Sequence, residues 1–295
     1  MKLLIILGIV LTLWGCKGFD IPHEVCHYRV KIENDHYNMS RAFDIGDATP
    51  VDAHYDIFGN LFYVARGRSD KGVVFDVYVL EANADLPAKV QGLPPGRSYS
   101  VAVDKLYSDV YFGTARGIYK YNYASHRAEL DSSPGLKVDM IFIDKDGNKY
   151  VTESFNGYEQ LYILDGVKKI PYNLLQGFSE LAIDDKNNFY YIKKGVLFML
   201  PSFSLQPSRC TFMGEVKYSG VAQITFYKDL VFVASHNLFY INKSRQIIKV
   251  DHIPGSASAV AFDKRGNFVV GVHGKMLRYK RNDCYVRENV TYKPL

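Results

Sequence analysis

From about residue 50 onward, apolar and polar positions alternate with a period of two, the pattern of half-buried strands rather than helices. The alternation stops at regular intervals on an Asp. A short turn follows, often carrying Gly-Asn, and then a second aromatic or β-branched run. The clearest copy is Ile141-Phe142-Ile143-Asp144-Lys145-Asp146-Gly147-Asn148-Lys149-Tyr150-Val151. Others centre on Asp56, Asp104, Asp184 and Asp263, with Tyr227 in the marker position of one more copy. Successive markers lie 36 to 48 residues apart. Asp, Gly and Asn tolerate the positive φ that tight hairpins require. A third strand usually follows, as in Gly117–Tyr121, Gln160–Leu164, Gly195–Met199, Asn237–Ile241 and Lys275–Tyr279. A less regular fourth segment, such as Val167–Ile170, completes the unit.

Four antiparallel strands per ~40 residues make one propeller blade. The expected fold class is therefore all-β, a six-bladed β-propeller. It would be a single domain over residues 19–295, closed by pairing of its N- and C-terminal strands. An eight-stranded barrel or a β-sandwich does not account for six copies of one hairpin. Closure would bring Cys26, in the strand-like stretch before Ile32, close to Cys284. A Cys26–Cys284 disulfide is the expected staple, leaving Cys210 unpaired.

The first residues depart from the strand pattern. Met1-Lys2 precedes an apolar run from Leu3 to Trp14, too short for a bilayer helix and typical of a secretory signal. Cleavage is expected after Gly18, so residues 1–18 are the signal peptide and the mature protein is extracellular. A lipoprotein box at Leu13-Trp14-Gly15-Cys16 is the alternative, opposed by the bulky Trp14. Three N-x-[ST] sequons, at Asn38, Asn242 and Asn289, are candidate glycosylation sites.

Composition narrows the function. Lys+Arg number 36 against 31 Asp+Glu, a net +5 that falls to +3 once Lys2 and Lys17 leave with the signal. Basic residues are dispersed, so neither a nucleic-acid nor a membrane-surface role has an electrostatic footprint. The 23 Tyr and 18 Phe build the core, and the only Trp lies in the signal. There is no GxSxG, HExxH, GxGxxG or Walker loop. The Asp144–Gly147 turn fails as an EF-hand, whose Gly and Glu fall at other positions. It reads as a plain hairpin turn. No cofactor is expected.

Candidate chemistry lies where first strands begin and second strands end, at the propeller mouth. Five residues before the markers stand Tyr99 and Asp139, among others; four before stand Asp52, Ser100, Met140, Glu180, Gln223 and Ala259. Second strands end near Arg66, Arg116, Glu153, Lys193, His236 and His273. Asp139, Glu153 and Glu180 form an incomplete set for a metal hydrolase, lacking Asn partners. The mixed rim of Arg66, Tyr99, Arg116, Asp139, Glu153, Glu180, Lys193, His236 and His273 suits an aromatic zwitterion.

The segments Ile143–Glu153, Glu159–Gly166 and Glu180–Lys193 resemble the ommochrome-binding proteins of lepidopteran haemolymph. The resemblance implies a secreted, monomeric, non-enzymatic carrier. Its partner would be an ommochrome, a planar phenoxazinone pigment made from tryptophan. The pigment's carboxylates would meet Arg66 or Arg116, its ammonium Asp139 or Glu180. A calcium-dependent lactonase-like propeller and a secreted interaction protein without a small ligand are the alternatives.

Overall fold

The computed structural model describes residues 30–70, 72–95, 98–155, 158–202, 208–209 and 223–282. Residues 1–18, where a signal peptide is expected, and Cys26, Cys210, Cys284 and Asn289 lie outside them. Within them the chain is all-β, and no helix is long and apolar enough to cross a membrane.

Twenty-five strands form six antiparallel sheets among the described residues. The first in chain order holds β3 (Thr49–Tyr55), β4 (Leu61–Ser69), β5 (Gly72–Leu80) and β6 (Ala88–Lys89). The second holds β7 (Ser98–Asp104), β8 (Asp109–Thr114), β9 (Gly117–Asn122) and β10 (Arg127–Ser132). The third holds β11 (Met140–Ile143), β12 (Lys149–Phe155), β13 (Tyr158–Asp165) and β14 (Lys168–Phe178). The fourth holds β15 (Glu180–Ile183), β16 (Phe189–Lys193), β17 (Val196–Leu200) and β18 (Ser208–Arg209). The fifth holds β19 (Gln223–Tyr227), β20 (Leu230–Ser235), β21 (Asn237–Ile241) and β22 (Ile247–Lys249). The sixth joins β23 (Ala259–Phe262), β24 (Phe268–Val272) and β25 (Lys275–Arg281) to β1 (Val30–Ile32) and β2 (Asp35–Asp44) from the other end of the chain.

The terminal pairing differs in detail from the sequence expectation. Asp35–Asp44, not the stretch ending at Ile32, pairs with Lys275–Arg281. Val30–Ile32 folds back onto it through a turn with Glu33 at φ 53° and becomes the outermost strand. The longer segment spans the whole of β25, from Arg281 to Lys275, and buries Tyr37 edge-on against Phe268, at 4.9 Å between ring centroids.

Each marker Asp ties its own turn. Asp144 Oδ1 accepts the amides of Asp146 and Asn148, and Oδ2 accepts the Asn148 side-chain amide at 2.8 Å. Asp56, Asp184 and Asp263 do the same. The residue three after Asp has positive φ and is Gly59, Gly147, Asn187 or Gly266. The Asn that follows reaches further. Asn60, Asn188 and Asn267 accept the backbone amides of Ala82, Ser202 and Arg281, at or just past the end of each third strand. The Asp and Asn thus fix the hairpin and the third strand together. These carboxylates are occupied by amides of their own turns.

Between sheets, apolar clusters bury rings such as Phe62, Phe112, Phe232 and Phe268 completely. The first strands touch in cyclic order, β3, β7, β11, β15, β19, β23 and back to β3, around one axis.

Candidate functional site

The first strand of every sheet hydrogen-bonds on one side only, so its other edge presents free backbone groups towards the axis. Buried backbone groups need partners. Three polar residues four positions before their markers supply such partners. Asp52 Oδ2 accepts the amide of Val101 at 2.7 Å. Ser100 Oγ donates to the carbonyl of Ile141 at 3.4 Å. Gln223 donates through Nε2 to the carbonyl of Ala53 and accepts the amide of Val260 through Oε1, both at 2.9 Å. Val101, Ile141, Val260 and Ala53 all stand three residues before their own markers. Neighbouring first strands therefore run side by side at one level, joined by side chains.

These strands enclose a cavity of about 740 Å³ lined from all six sheets. One end is polar, with Asp52, His54, Asp139, Glu159 and Glu180. The walls add Tyr55, Met140, Phe142, Phe226 and Phe262. At the turn end, Lys105 ion-pairs with Asp185 at 3.1 Å and lies 4.9 Å from the Phe226 ring centroid. It thereby links the second sheet to the fourth and fifth.

At the polar end, His54 Nε2 lies 2.9 Å from Asp52 Oδ1. Asp139 accepts the amide of Ser154 at 2.7 Å and pairs with Lys137 at 3.2 Å. The two glutamates differ. Burial pushes the Glu159 carboxyl above the usual range; the Thr152 hydroxyl bond opposes this, while Asp139 raises and Lys137 lowers it. Its Oε2 is buried without a hydrogen-bond partner. Glu180 occupies the row of Asp52, Ser100 and Gln223, yet none of the hydrogen bonds or ion pairs among the described residues engages its carboxyl. Burial holds that carboxyl well above the ordinary glutamate range, and Asp52 and Glu159 push it the same way.

Of the nine rim candidates, Asp139 and Glu180 line this cavity. Glu153 pairs with Lys169 of the outer strand β14 at 2.6 Å. Arg66 is exposed within β4, opposite Thr49, and Arg116 is exposed in the β8–β9 turn. Lys193 donates to the carbonyl of Gln176 at 2.8 Å. His236 is exposed in the turn between β20 and β21, at φ 54°. His273 contacts Asp47 and Thr49 at 2.9 and 3.0 Å. Tyr99 sits in β7, with only its backbone described. Among the sequons, Asn38 lies in β2, opposite Lys280. Asn242 caps its turn through Gln246.

Sequence reasoning did not single out His54, Lys137 or Glu159 for the site. His54 was legible, two residues along the strand from Asp52 and hence on its face. Lys137 precedes its first strand. Glu159 comes from the start of the third strand β13, paired with Ser154 near the end of β12, a position no marker spacing reveals. Among the described residues no three His, Cys, Asp or Glu side chains stand as a metal-binding group.

Comparison with known proteins follows the architecture. A putative gluconolactonase superposes with TM-score 0.62 at 10% identity, covering 86% of this chain and 94% of that one. A gluconolactonase from Xanthomonas campestris gives 0.59 at 12%, covering 88% and 96%. The WD40 β-propeller domain of Doa1 gives 0.57 at 13%, covering 84% and 98%. The fold is a β-propeller. At these identities the likeness concerns the fold alone. Neither a protein-family model nor a curated protein sequence matches this chain.

Proposed function

We propose that this chain is a secreted, monomeric carrier, a closed six-bladed propeller that binds an ommochrome reversibly and without chemistry. The observation that carries this reading is the axial cavity. Its volume of about 740 Å³ lies in the range of small-molecule sites, and it joins polar groups at one end to aromatic walls. A planar phenoxazinone would stack on Tyr55, Phe142, Phe226 or Phe262 and place its amino-acid groups at the polar end. The resemblance of Ile143–Glu153, Glu159–Gly166 and Glu180–Lys193 to haemolymph pigment carriers supports the same ligand class. The test is gel filtration of residues 19–295, secreted from cells and mixed with an ommatin, read by visible absorbance. Co-elution at one pigment per chain is expected. Clean separation at micromolar protein overturns the reading.

One observation favours a second reading, a propeller enzyme. Asp52 Oδ1 lies 2.9 Å from His54 Nε2 on the cavity wall, so a carboxylate orients the imidazole there, as in acid–base catalysis. Turnover of lactones, lost in His54→Ala, would replace the carrier reading.

A further inference from the structure

We propose that Glu180 and Glu159 form an amine-recognition subsite in the axial cavity, one that takes the ammonium group of an aromatic ligand and gives up a proton as it does so. The inference rests on the cavity being the ligand site and adds the charge and chemistry of its occupant.

Asp52, Ser100, Met140, Glu180 and Gln223, each four before its marker, form one row around the cavity. Ser100 and Gln223 spend their polar atoms, and Asp52 one of its oxygens, on the backbone of another first strand. Glu180 stands in the same place on the fourth sheet, and the neighbouring first strand β19 could be served in the same way. Among the described residues it is not: the Glu180 carboxyl opens onto the cavity without a protein donor. Glu159 adds an independent observation, because its Oε2 is buried and unpartnered although Thr152 serves the side chain. Two carboxyls at one end of a cavity therefore lack donors that the fold provides elsewhere.

The surrounding groups do not fill the gap. Lys137, the cation at that end, is bound to Asp139. His54 is held by Asp52. The flanking strands Met140–Ile143 and Gln223–Tyr227 carry no ionisable side chain beside Glu180, and Tyr227 lies at the far end of its strand. On β16, Lys193 is engaged by Gln176. Burial, and after it the negative charges of Asp52 and Glu159, hold Glu180 towards the protonated form, and burial does the same for Glu159. A neutral ligand leaves them so. An ammonium ion supplies donors and the opposite charge, favours the carboxylate and expels the proton to solvent. No bond other than O–H is broken. A primary amine carries three N–H donors, enough for both glutamates at once.

The test uses the full mature chain and two probes, tryptamine and its charge-free counterpart 3-ethylindole. Titration calorimetry in buffers of different ionisation enthalpy counts the protons released. Tryptamine is expected to bind more tightly as pH rises from about 5 to 8, with net proton release, while 3-ethylindole shows neither effect. At pH 7.5, Glu180→Gln should weaken tryptamine at least about tenfold and change 3-ethylindole less than about twofold. The proton count on the unaltered protein stands even if a variant fails to fold. Equal binding of the two probes, no binding of either, or tryptamine binding without proton release overturns the inference. An ommatin that does not bind while tryptamine behaves as expected removes the carrier reading and leaves the amine subsite standing.

Discussion

At the scale of single residues, the marker Asp is a turn organiser. Asp263 is buried, and its carboxylate accepts two backbone amides at 2.9 Å and the Asn267 side chain at 2.9 Å. Asp263→Ala strands those donors in a place water reaches poorly, at an expected cost of about 2–4 kcal/mol, measurable by urea unfolding. The Asp row was legible because its spacing repeats. The role of the following Asn was not. The left-handed position is one residue earlier, at Gly266, and the Asn side chain serves the amide of Arg281, fourteen residues on. No local pattern announces a bond of that reach. Tyr227 shows the same limit. It stands where the other copies carry Asp and instead stacks on Phe262 at 4.7 Å in the next sheet.

At the scale of elements, the first strands pose the structural problem of the ring, since their inner edges have no strand partner. Gln223 is the strongest of the side-chain answers, tying the fifth sheet to both the sixth and the first. Gln223→Leu keeps roughly the same bulk and leaves the Val260 amide and the Ala53 carbonyl without partners. It should cost about 2–4 kcal/mol and weaken cohesion between three sheets, seen as faster amide exchange in β3 and β23. Strand number and order followed from alternation and turn spacing. Which of two adjacent residues bonds across the axis did not, because that depends on how inner strands align between sheets. The same uncertainty governs the second-strand ends. If the ligand sits in the cavity, the double substitution Arg66→Ala with Arg116→Ala should leave ommatin affinity within about twofold, since both side chains lie outside its lining. A loss of about 1–3 kcal/mol would place the pigment's carboxylates on the rim instead.

At the scale of the whole molecule, the axial cavity sets binding against stability. Glu180 and Glu159 have folded-state pKa values raised above those of the unfolded chain, chiefly by burial. The sign follows from linkage. Below the unfolded value, about 4.3, both states are protonated and the groups contribute in full. As pH rises through the folded value, the unfolded chain ionises freely while the folded one does so at a cost, and stability is lost. Replacing Glu180 with Gln keeps the shape and removes the charge. Glu180→Gln should therefore melt higher than the unaltered protein at pH 8, by about 2–4 °C for each kcal/mol recovered. The two should converge near pH 4. Scanning calorimetry at both pH values decides it, and a variant that melts lower at pH 8 would mean that an internal donor already serves Glu180. Set beside Gln223→Leu, the contrast is direct: one residue of the row holds the ring together, and another, in the equivalent place, weakens it while facing the cavity.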